Sequence, residues 1–188
     1  RQLAAMNYDL VLVARSTDAL QALADELQQK HGAQSIVLAC DLSQPHAAQS
    51  LYNELQKRRV SLSLLVNNAG FGALGPCTDL SLEDQRQMIQ VNVTTLTELT
   101  RLVLPSMLRA KNGRILNVAS TAAFQPGPLM AVYYATKAYV LSFSLALSEE
   151  TRGTGVTVTC LCPGPTRTGF AERAHMQKTQ LFRFGVMD

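Results

Sequence analysis

Residues 117–140 read NVASTAAFQPGPLMAVYYATKAYV, and the spacing of three residues within this stretch carries most of the information about the fold. Tyr133 and Lys137 are four positions apart, and Ser120 stands thirteen positions before Tyr133. On a helix, side chains four positions apart lie on one face. The free pKa of tyrosine is about 10, and an ammonium held close by favours the phenolate and lowers that pKa. The stretch therefore predicts a helix that carries a tyrosine suited to proton transfer.

Short apolar runs alternate with longer helical patterns along the chain. This alternation predicts an α/β fold with a parallel sheet, and the nearly continuous apolar runs are typical of strands that are covered on both faces. The predicted strands span residues 8–14, 35–40, 62–66, 114–118 and 156–161, and the predicted helices span residues 17–31, 45–58, 81–111 and 129–152. Ser43 and Ser81 are placed to cap the second and third helices, and Pro105 is expected to kink the third.

Composition limits the classes of function that the chain can have. It has 188 residues, of which 47% are hydrophobic, and a net charge of +3. We expect residues 1–188 to form a single domain. No apolar run approaches the roughly 18 residues of a membrane span, and no basic stripe is interleaved with aromatics, so neither a membrane nor a nucleic acid is an expected partner.

Neither the cysteines nor the histidines show the spacing of metal ligands, so no metal site is expected. Cys160 and Cys162 would lie on the same face of a strand. Buried apolar thiols in a reducing compartment are the simplest interpretation, and they indicate a cytoplasmic protein.

Further landmarks extend over most of the chain, and together they resemble those of the short-chain dehydrogenase/reductase family. In order they are Asp41, the run Asn67-Asn68-Ala69-Gly70, Asn92, Ser120, Tyr133 with Lys137, and Pro163-Gly164. A Tyr-x-x-x-Lys pair alone is a weak signal, whereas this ordered set is a strong one. The resemblance implies a Rossmann-like doubly wound parallel sheet with helices on both faces.

One landmark of that family, the Gly-rich turn that binds the pyrophosphate, is absent from the chain, and the last strand of the family is absent as well. In the strand order 3-2-1-4-5-6 the missing first strand is central. The predicted strands at residues 8–14 and 62–66 should therefore each lack a neighbour. We expect the chain to be a portion of a longer protein, incomplete at both ends.

The resemblance also implies roles for four residues. Tyr133 is the proton donor in reduction and the base in oxidation, and Lys137 lowers its pKa and reaches the nicotinamide ribose. Ser120 holds the carbonyl oxygen, and Asn92 belongs to a water relay behind the lysine. Asn92 could instead be a helix residue satisfied by nearby backbone.

Neighbouring residues compete for two of these roles. Tyr134 is three positions from Lys137, but the family register selects Tyr133. Thr121 is the rival hydroxyl, and the thirteen-residue spacing favours Ser120.

The cofactor-binding residues follow the predicted strands, where ligands bind in open α/β sheets. By resemblance they are Arg15, Ser16, Asp41, Leu42, Asn68, Ala69, Gly70, Tyr133, Lys137, Pro163, Gly164, Thr166 and Thr168. Asp41 and Leu42 match the adenine contact, although Asp41 could instead cap the following helix. A cofactor without a 2′-phosphate prefers a carboxylate at this place, whereas Arg15 and Ser16 provide a guanidinium and a hydroxyl. These groups suit a 2′-phosphate, so NADP(H) is predicted over NAD. Arg15 could also be a solvated loop residue.

The resemblance as a whole implies an oxidoreductase that transfers a hydride between NADP(H) and a ketone or secondary alcohol. The apolar side chains of residues 122–130 and 170–188, among them Phe124, Leu129, Met130 and Phe170, favour a hydrophobic small-molecule substrate. A homodimer or homotetramer is implied as well. The alternatives are a non-enzymatic nucleotide-sensing or scaffold protein on the same fold and, less well matched, a dehydratase or epimerase.

The cofactor preference is directly testable. Because the Arg15 guanidinium is placed to bind a 2′-phosphate, the Michaelis constant for NADPH is expected to be lower than that for NADH. Steady-state kinetics with both cofactors measure this, and a clear preference for NADH contradicts the assignment of Arg15.

Overall fold

A computed structural model of the chain describes residues 1–166, which form five strands and six α-helices. The strands are β1 (Leu10–Ala14), β2 (Ser35–Ala39), β3 (Leu64–Asn67), β4 (Gly113–Val118) and β5 (Val156–Leu161). The helices are α1 (Gln2–Ala5), α2 (Thr17–His31), α3 (Ala47–Lys57), α4 (Leu82–Ile89), α5 (Leu96–Ala110) and α6 (Ala131–Glu150). None of the helices within residues 1–166 has the length and apolar character needed to cross a membrane.

Cap residues define the ends of two helices. The Ser16 hydroxyl accepts a hydrogen bond from the Ala19 amide at the start of α2, and Gly32 ends that helix in the left-handed conformation. Ser81 caps α4 in the same way, as predicted. Ser43 does not cap α3, because its hydroxyl and its amide both donate to Asp41 and the helix begins only after His46.

The long helix predicted for residues 81–111 is divided by a π-helical segment, Gln90–Thr95, between α4 and α5. The extra residue in a π turn changes the direction of the side chains on either side of it, and such turns are frequent at functional sites. Pro105 lies inside α5, which continues to Ala110. The interruption at residues 90–95 was not expected from the sequence, and the kink at Pro105 stays a prediction.

All strand pairs are parallel, and they form two groups, β1-β2 and β3-β4-β5. Asn67 pairs with Asn117, and Val118 pairs with Leu161, so the carboxyl ends of these strands lie at one edge. No backbone ladder joins β1 to β3 in the described part of the chain, in agreement with the expectation that these two strands lack a neighbour.

Alternate residues of β1 show that helices cover both of its faces. Leu10 and Leu12 pack in a cluster with residues of α1 and α2. Val11 and Val13, which point the opposite way, pack in a cluster with residues of α3 and α5. A third cluster joins α5 and α6 to β4 and β5. Helices α5 and α6 are thereby packed against β4 and β5.

The turn between α6 and β5 provides a stability test with a matched control. Gly153 and Gly155 both have positive φ values, 76° and 86°. A Cβ on Gly153 would meet nothing within 4 Å, whereas one on Gly155 would clash with the Lys111 carbonyl. We expect Gly153→Ala to cost about 1–2 kcal/mol, the usual penalty of a left-handed alanine, and Gly155→Ala to cost about 3 kcal/mol or more. Urea unfolding measures both values, and equal losses would contradict the clash.

Candidate active site

Residues predicted to bind and react lie where the parallel strands end. Asp41 follows β2, Asn68 follows β3, Ser120 follows β4 and Pro163 follows β5. In open α/β sheets this edge is where ligands bind. The strand arrangement therefore collects side chains that are far apart in the sequence.

Ser120 connects the ends of β4 and β5. Its hydroxyl accepts a hydrogen bond from the Ala122 amide at 3.1 Å, and it lies 3.4 Å from the Pro163 carbonyl oxygen. The Thr121 amide also donates to the Pro163 carbonyl, at 2.9 Å. A further hydrogen bond joins the side chains of Ser120 and Tyr133, so these two predicted residues are in direct contact.

Tyr133 is buried in a cluster with Phe71, Met88 and Ala122. Burial raises the pKa of the Tyr133 phenol, the hydrogen bond with Ser120 lowers it, and the neighbouring Tyr134 raises it further. The sequence predicted a lowering by Lys137. In this structure burial is the dominant influence instead, because it disfavours the phenolate.

Lys137 is buried on the same face of α6, with an exposed fraction of 6%. Its Nζ donates to the Val118 carbonyl at 2.8 Å and lies 5.8 Å from the centroid of the Tyr133 ring. Burial lowers the pKa of Lys137 to about 8, and the thiols of Cys160 and Cys162 oppose this shift. A backbone carbonyl is thus the polar partner of a cation removed from water.

The Asn92 side chain is almost fully buried and joins two other segments to the π-helical turn. Its Oδ1 accepts from the Phe71 amide at 3.1 Å, and its Nδ2 donates to the Phe71 carbonyl at 2.9 Å and to the Thr136 hydroxyl at 3.1 Å. Backbone groups therefore satisfy most of the hydrogen-bonding capacity of Asn92, as one of the two interpretations expected. These groups do not belong to the same helix, however, because Phe71 lies in the turn after β3.

Gly70 brings that turn close to the lysine. A Cβ on Gly70 would lie 3.1 Å from Asn92 Oδ1 and 3.5 Å from Lys137 Nζ. The backbone of Gly70 thus passes directly beside both side chains. Asn68, Ala69 and Gly70 are exposed, which leaves room for a ligand to approach this backbone.

The predicted adenine contact has a defined turn structure. The Asp41 carboxylate accepts from the Ser43 amide at 3.0 Å, from the Ser43 hydroxyl at 2.7 Å and from the Gln44 side chain at 3.1 Å. These bonds lower the pKa of Asp41, and the charge of Arg15 adds a smaller lowering. The ends of β1 and β2 are thereby close to each other. Asp41 does not cap α3, which was the alternative to the adenine role.

The remaining predicted cofactor residues have simple positions. The Leu42 carbonyl accepts from the Thr95 hydroxyl at 2.8 Å, and the Thr166 hydroxyl donates to the Gly164 carbonyl at 3.0 Å. Arg15 is exposed next to the N-terminus of α2. Thr168 and residues 170–188 lie outside the described residues.

Two partners in the site were missed by the sequence analysis. Thr136 stands inside the Tyr-x-x-x-Lys motif, and a polar residue at a buried helical position is a signal that could have been followed. The Val118 carbonyl gives no such signal, because every residue has a backbone carbonyl.

Cys160 in β5 and Cys162 just after the strand have their sulfur atoms 3.9 Å apart, and both pack against the same apolar cluster, so they point the same way as predicted. Within residues 1–166, no group of three or more His, Cys, Asp or Glu side chains is placed to hold a metal ion.

The buried lysine makes a specific contribution to the pH dependence of stability. Its pKa is about 8 in the folded chain, against an ordinary value of 10.5, so the unfolded chain binds more protons between these values. Stability from this group therefore rises with pH across that window. We expect the free energy of unfolding, relative to Lys137→Met, to rise by about 3 kcal/mol from pH 8 to 10.5. Denaturant unfolding of both proteins across the window measures the difference, and a constant difference would contradict the burial of the cation.

Comparison with known proteins adds independent information. The family model for short chain dehydrogenases matches residues 1–179. A very-long-chain 3-oxoacyl-CoA reductase from Laccaria bicolor is 37% identical over 161 residues, covering 84% of this chain and 47% of that protein. Sulfoacetaldehyde reductase 2 from Chromohalobacter salexigens is 37% identical over 172 residues, covering 90% of this chain and 68% of that protein.

Solved structures agree with the sequence relatives. A short-chain dehydrogenase from Sphingobium yanoikuyae in complex with NADPH has a TM-score of 0.90 and 34% identity, covering 99% of this chain and 72% of that one. A bulky-bulky ketone specific alcohol dehydrogenase from Comamonas testosteroni has a TM-score of 0.83 and 30% identity, covering 88% of this chain and 66% of that one. The chain spans about half the length of several of the curated relatives. Its fold is Rossmann-like, and the chain belongs to the short-chain dehydrogenase family.

Proposed function

We propose that this chain provides the catalytic centre of an NADP(H)-dependent oxidoreductase that interconverts a ketone and a secondary alcohol, with Tyr133 as the acid/base. The observation that carries the proposal is the convergence of three groups. The Ser120 hydroxyl bonds with the Tyr133 hydroxyl, and the Lys137 ammonium lies over the ring of the same tyrosine.

The reaction needs a proton at the oxygen of the substrate. A bound nicotinamide would supply or accept the hydride, and reduction leaves negative charge on the carbonyl oxygen. Tyr133 donates its phenolic proton to that oxygen, and the Ser120 hydroxyl donates a hydrogen bond to it. Because burial raises the pKa of Tyr133, the phenol stays protonated until negative charge develops on the substrate oxygen.

Lys137 stabilises the charge that remains on the protein. Its pKa of about 8 keeps it mainly an ammonium at neutral pH, so it favours the phenolate that forms when Tyr133 gives up its proton. Asn92 keeps the Phe71 turn against α6 and leaves Gly70 beside the lysine. We assign Asn92 to the relay that returns the proton to this pair.

The residues at the strand ends fit a dinucleotide. Arg15 and Ser16 stand at the N-terminus of α2, where the backbone amides and the guanidinium suit a 2′-phosphate. Asp41 and Leu42 would hold the adenine, and the exposed backbone of residues 68–70 would lie against the ribose of the cofactor. Pro163, Gly164, Thr166 and Thr168 would hold the nicotinamide end. The NADPH complex of the relative from Sphingobium yanoikuyae supports NADP(H).

A hydrophobic substrate is favoured by apolar side chains on the loop after Ser120 and beside the Tyr133 cluster. Phe124 and Leu129 are 67% and 52% exposed on the loop that follows Ser120, and Ala73 and Leu74 pack beside the Tyr133 cluster. Exposed apolar side chains near a reactive group are typical of a binding site for an apolar ligand. The names of two relatives, a 3-oxoacyl-CoA reductase and a ketone specific alcohol dehydrogenase, support a carbonyl substrate.

Assembly into a homodimer or homotetramer is supported by the outer surface of α6. Tyr139 and Leu145 are 38% and 61% exposed, and the Tyr139 ring stacks on Phe143 with 5.7 Å between centroids. These apolar side chains favour pairing of two copies through this helix.

The acid/base role is tested by two neighbouring tyrosines. Tyr133→Phe removes the reacting hydroxyl and should lower kcat by about 10²–10⁴-fold, the usual contribution of a general acid. Tyr134→Phe is the control, because it makes the same substitution at the adjacent residue, whose ring is 6.0 Å from that of Tyr133. This variant should retain most of the activity. Nicotinamide absorbance with a panel of ketones and alcohols measures both.

Similar activity in the Tyr133 and Tyr134 variants would refute the proposed acid/base. Cofactor binding by the unmodified protein without turnover of any panel member would instead support a nucleotide-binding protein without enzymatic activity.

A further inference from the structure

A buried chain of polar side chains crosses the interior behind the proposed active site. Asn67 Nδ2 donates to Thr100 Oγ1 at 3.0 Å and to Asn117 Oδ1 at 2.9 Å. Asn117 Nδ2 then donates to Ser144 Oγ at 2.9 Å, and Ser144 donates to the Val140 carbonyl at 2.6 Å. The chain joins β3, α5, β4 and α6.

This arrangement is poorly explained by stability alone. Asn117 is 0% exposed and Ser144 is 1% exposed. Asparagine is disfavoured in strands, and a serine that bonds the carbonyl four residues earlier slightly destabilises a helix. A pair of apolar residues could fill the same space without the cost of removing polar groups from water. A directional bond, however, sets the position of one element relative to another in a way that apolar packing does not.

The pair joins the same strand and helix as the contact that holds Lys137. Asn117 precedes Val118, whose carbonyl accepts from Lys137 Nζ at 2.8 Å. Ser144 follows Lys137 by seven residues, which is about two turns of the same helix. Strand β4 and helix α6 are therefore joined by two neighbouring links, one through Asn117 and Ser144 and the other through Val118 and Lys137.

We propose that Asn117 and Ser144 are positioning residues, which fix α6 against β4 at the setting where the Lys137 ammonium reaches the Val118 carbonyl. They act through Lys137 and not on the substrate or the cofactor. The consequence for catalysis rests on the proposed function, whereas the consequence for the lysine does not. When the Asn117–Ser144 bond is lost, α6 is free to shift, which weakens the hydrogen bond from the ammonium to the Val118 carbonyl.

The same helix supplies a matched control. Thr151 is buried at the C-terminal end of α6, and its hydroxyl donates to the Leu147 carbonyl, four residues earlier, at 2.8 Å. Ser144 makes the equivalent bond to Val140 but also accepts from a strand side chain. Ser144→Ala and Thr151→Val therefore remove similar helix bonds, and only the first removes the link to β4.

We expect Ser144→Ala to lower kcat about tenfold with little change in the KM for cofactor, and to move the alkaline limb of the kcat–pH profile to lower pH. The limb moves to lower pH because the Val118 carbonyl stabilises the ammonium, so weakening this contact lowers the pKa of Lys137. Ser144→Thr, which keeps the hydroxyl, should restore the wild-type profile. Thr151→Val should leave kcat and the profile unchanged, even where its midpoint of urea unfolding falls as far as that of Ser144→Ala.

NMR titration of isotopically labelled lysine side chains provides a readout that needs no turnover. The Lys137 resonance should titrate at lower pH in Ser144→Ala than in the unmodified chain, and at the same pH in Thr151→Val. An unchanged Lys137 titration in Ser144→Ala, or an equal shift in Thr151→Val, overturns the proposal. A shifted titration in a protein without oxidoreductase activity would leave the positioning role standing and refute only the proposed function.

Discussion

The burial of a single ammonium group constrains the centre of this protein. Lys137 has an exposed fraction of only 6%, and burial lowers its pKa to about 8. A cation removed from water needs a polar partner, and here the Val118 carbonyl provides it. Strand β4 must therefore end beside the first part of α6, and the packing of both elements has to preserve that contact.

Polar side chains keep the surrounding segments in place. Asn92 binds the turn after β3 to Thr136 on α6, and Asn117 binds β4 to Ser144 two turns further along the same helix. Each amide uses both its oxygen and its nitrogen, so neither is left unsatisfied in the interior. The site is thus held by directional bonds between elements that are distant in sequence, while apolar clusters supply most of the burial.

The sequence was most informative where the physical signal is local. Strands and helices followed apolar periodicity, and Ser81 marked the start of a helix as predicted, because caps depend on neighbouring residues. Local signals failed at the start of α3, where Ser43 bonds to Asp41, and at the π turn of residues 90–95. That turn is stabilised by bonds from Asn92 to a segment some twenty residues away, which no helical propensity encodes.

The order of the motifs and their spacing were sufficient to indicate the family, the parallel α/β fold and the two residues of the Tyr-x-x-x-Lys pair, since these depend on residue identity and helical period. The pKa of Tyr133 and the hydrogen-bond partner of Lys137, in contrast, are decided by the tertiary structure. Burial raises the pKa of Tyr133, against the lowering expected from its neighbour, and a backbone carbonyl from another element holds Lys137. Desolvation and backbone contacts arise only when distant segments pack together, so a list of residue types does not contain them.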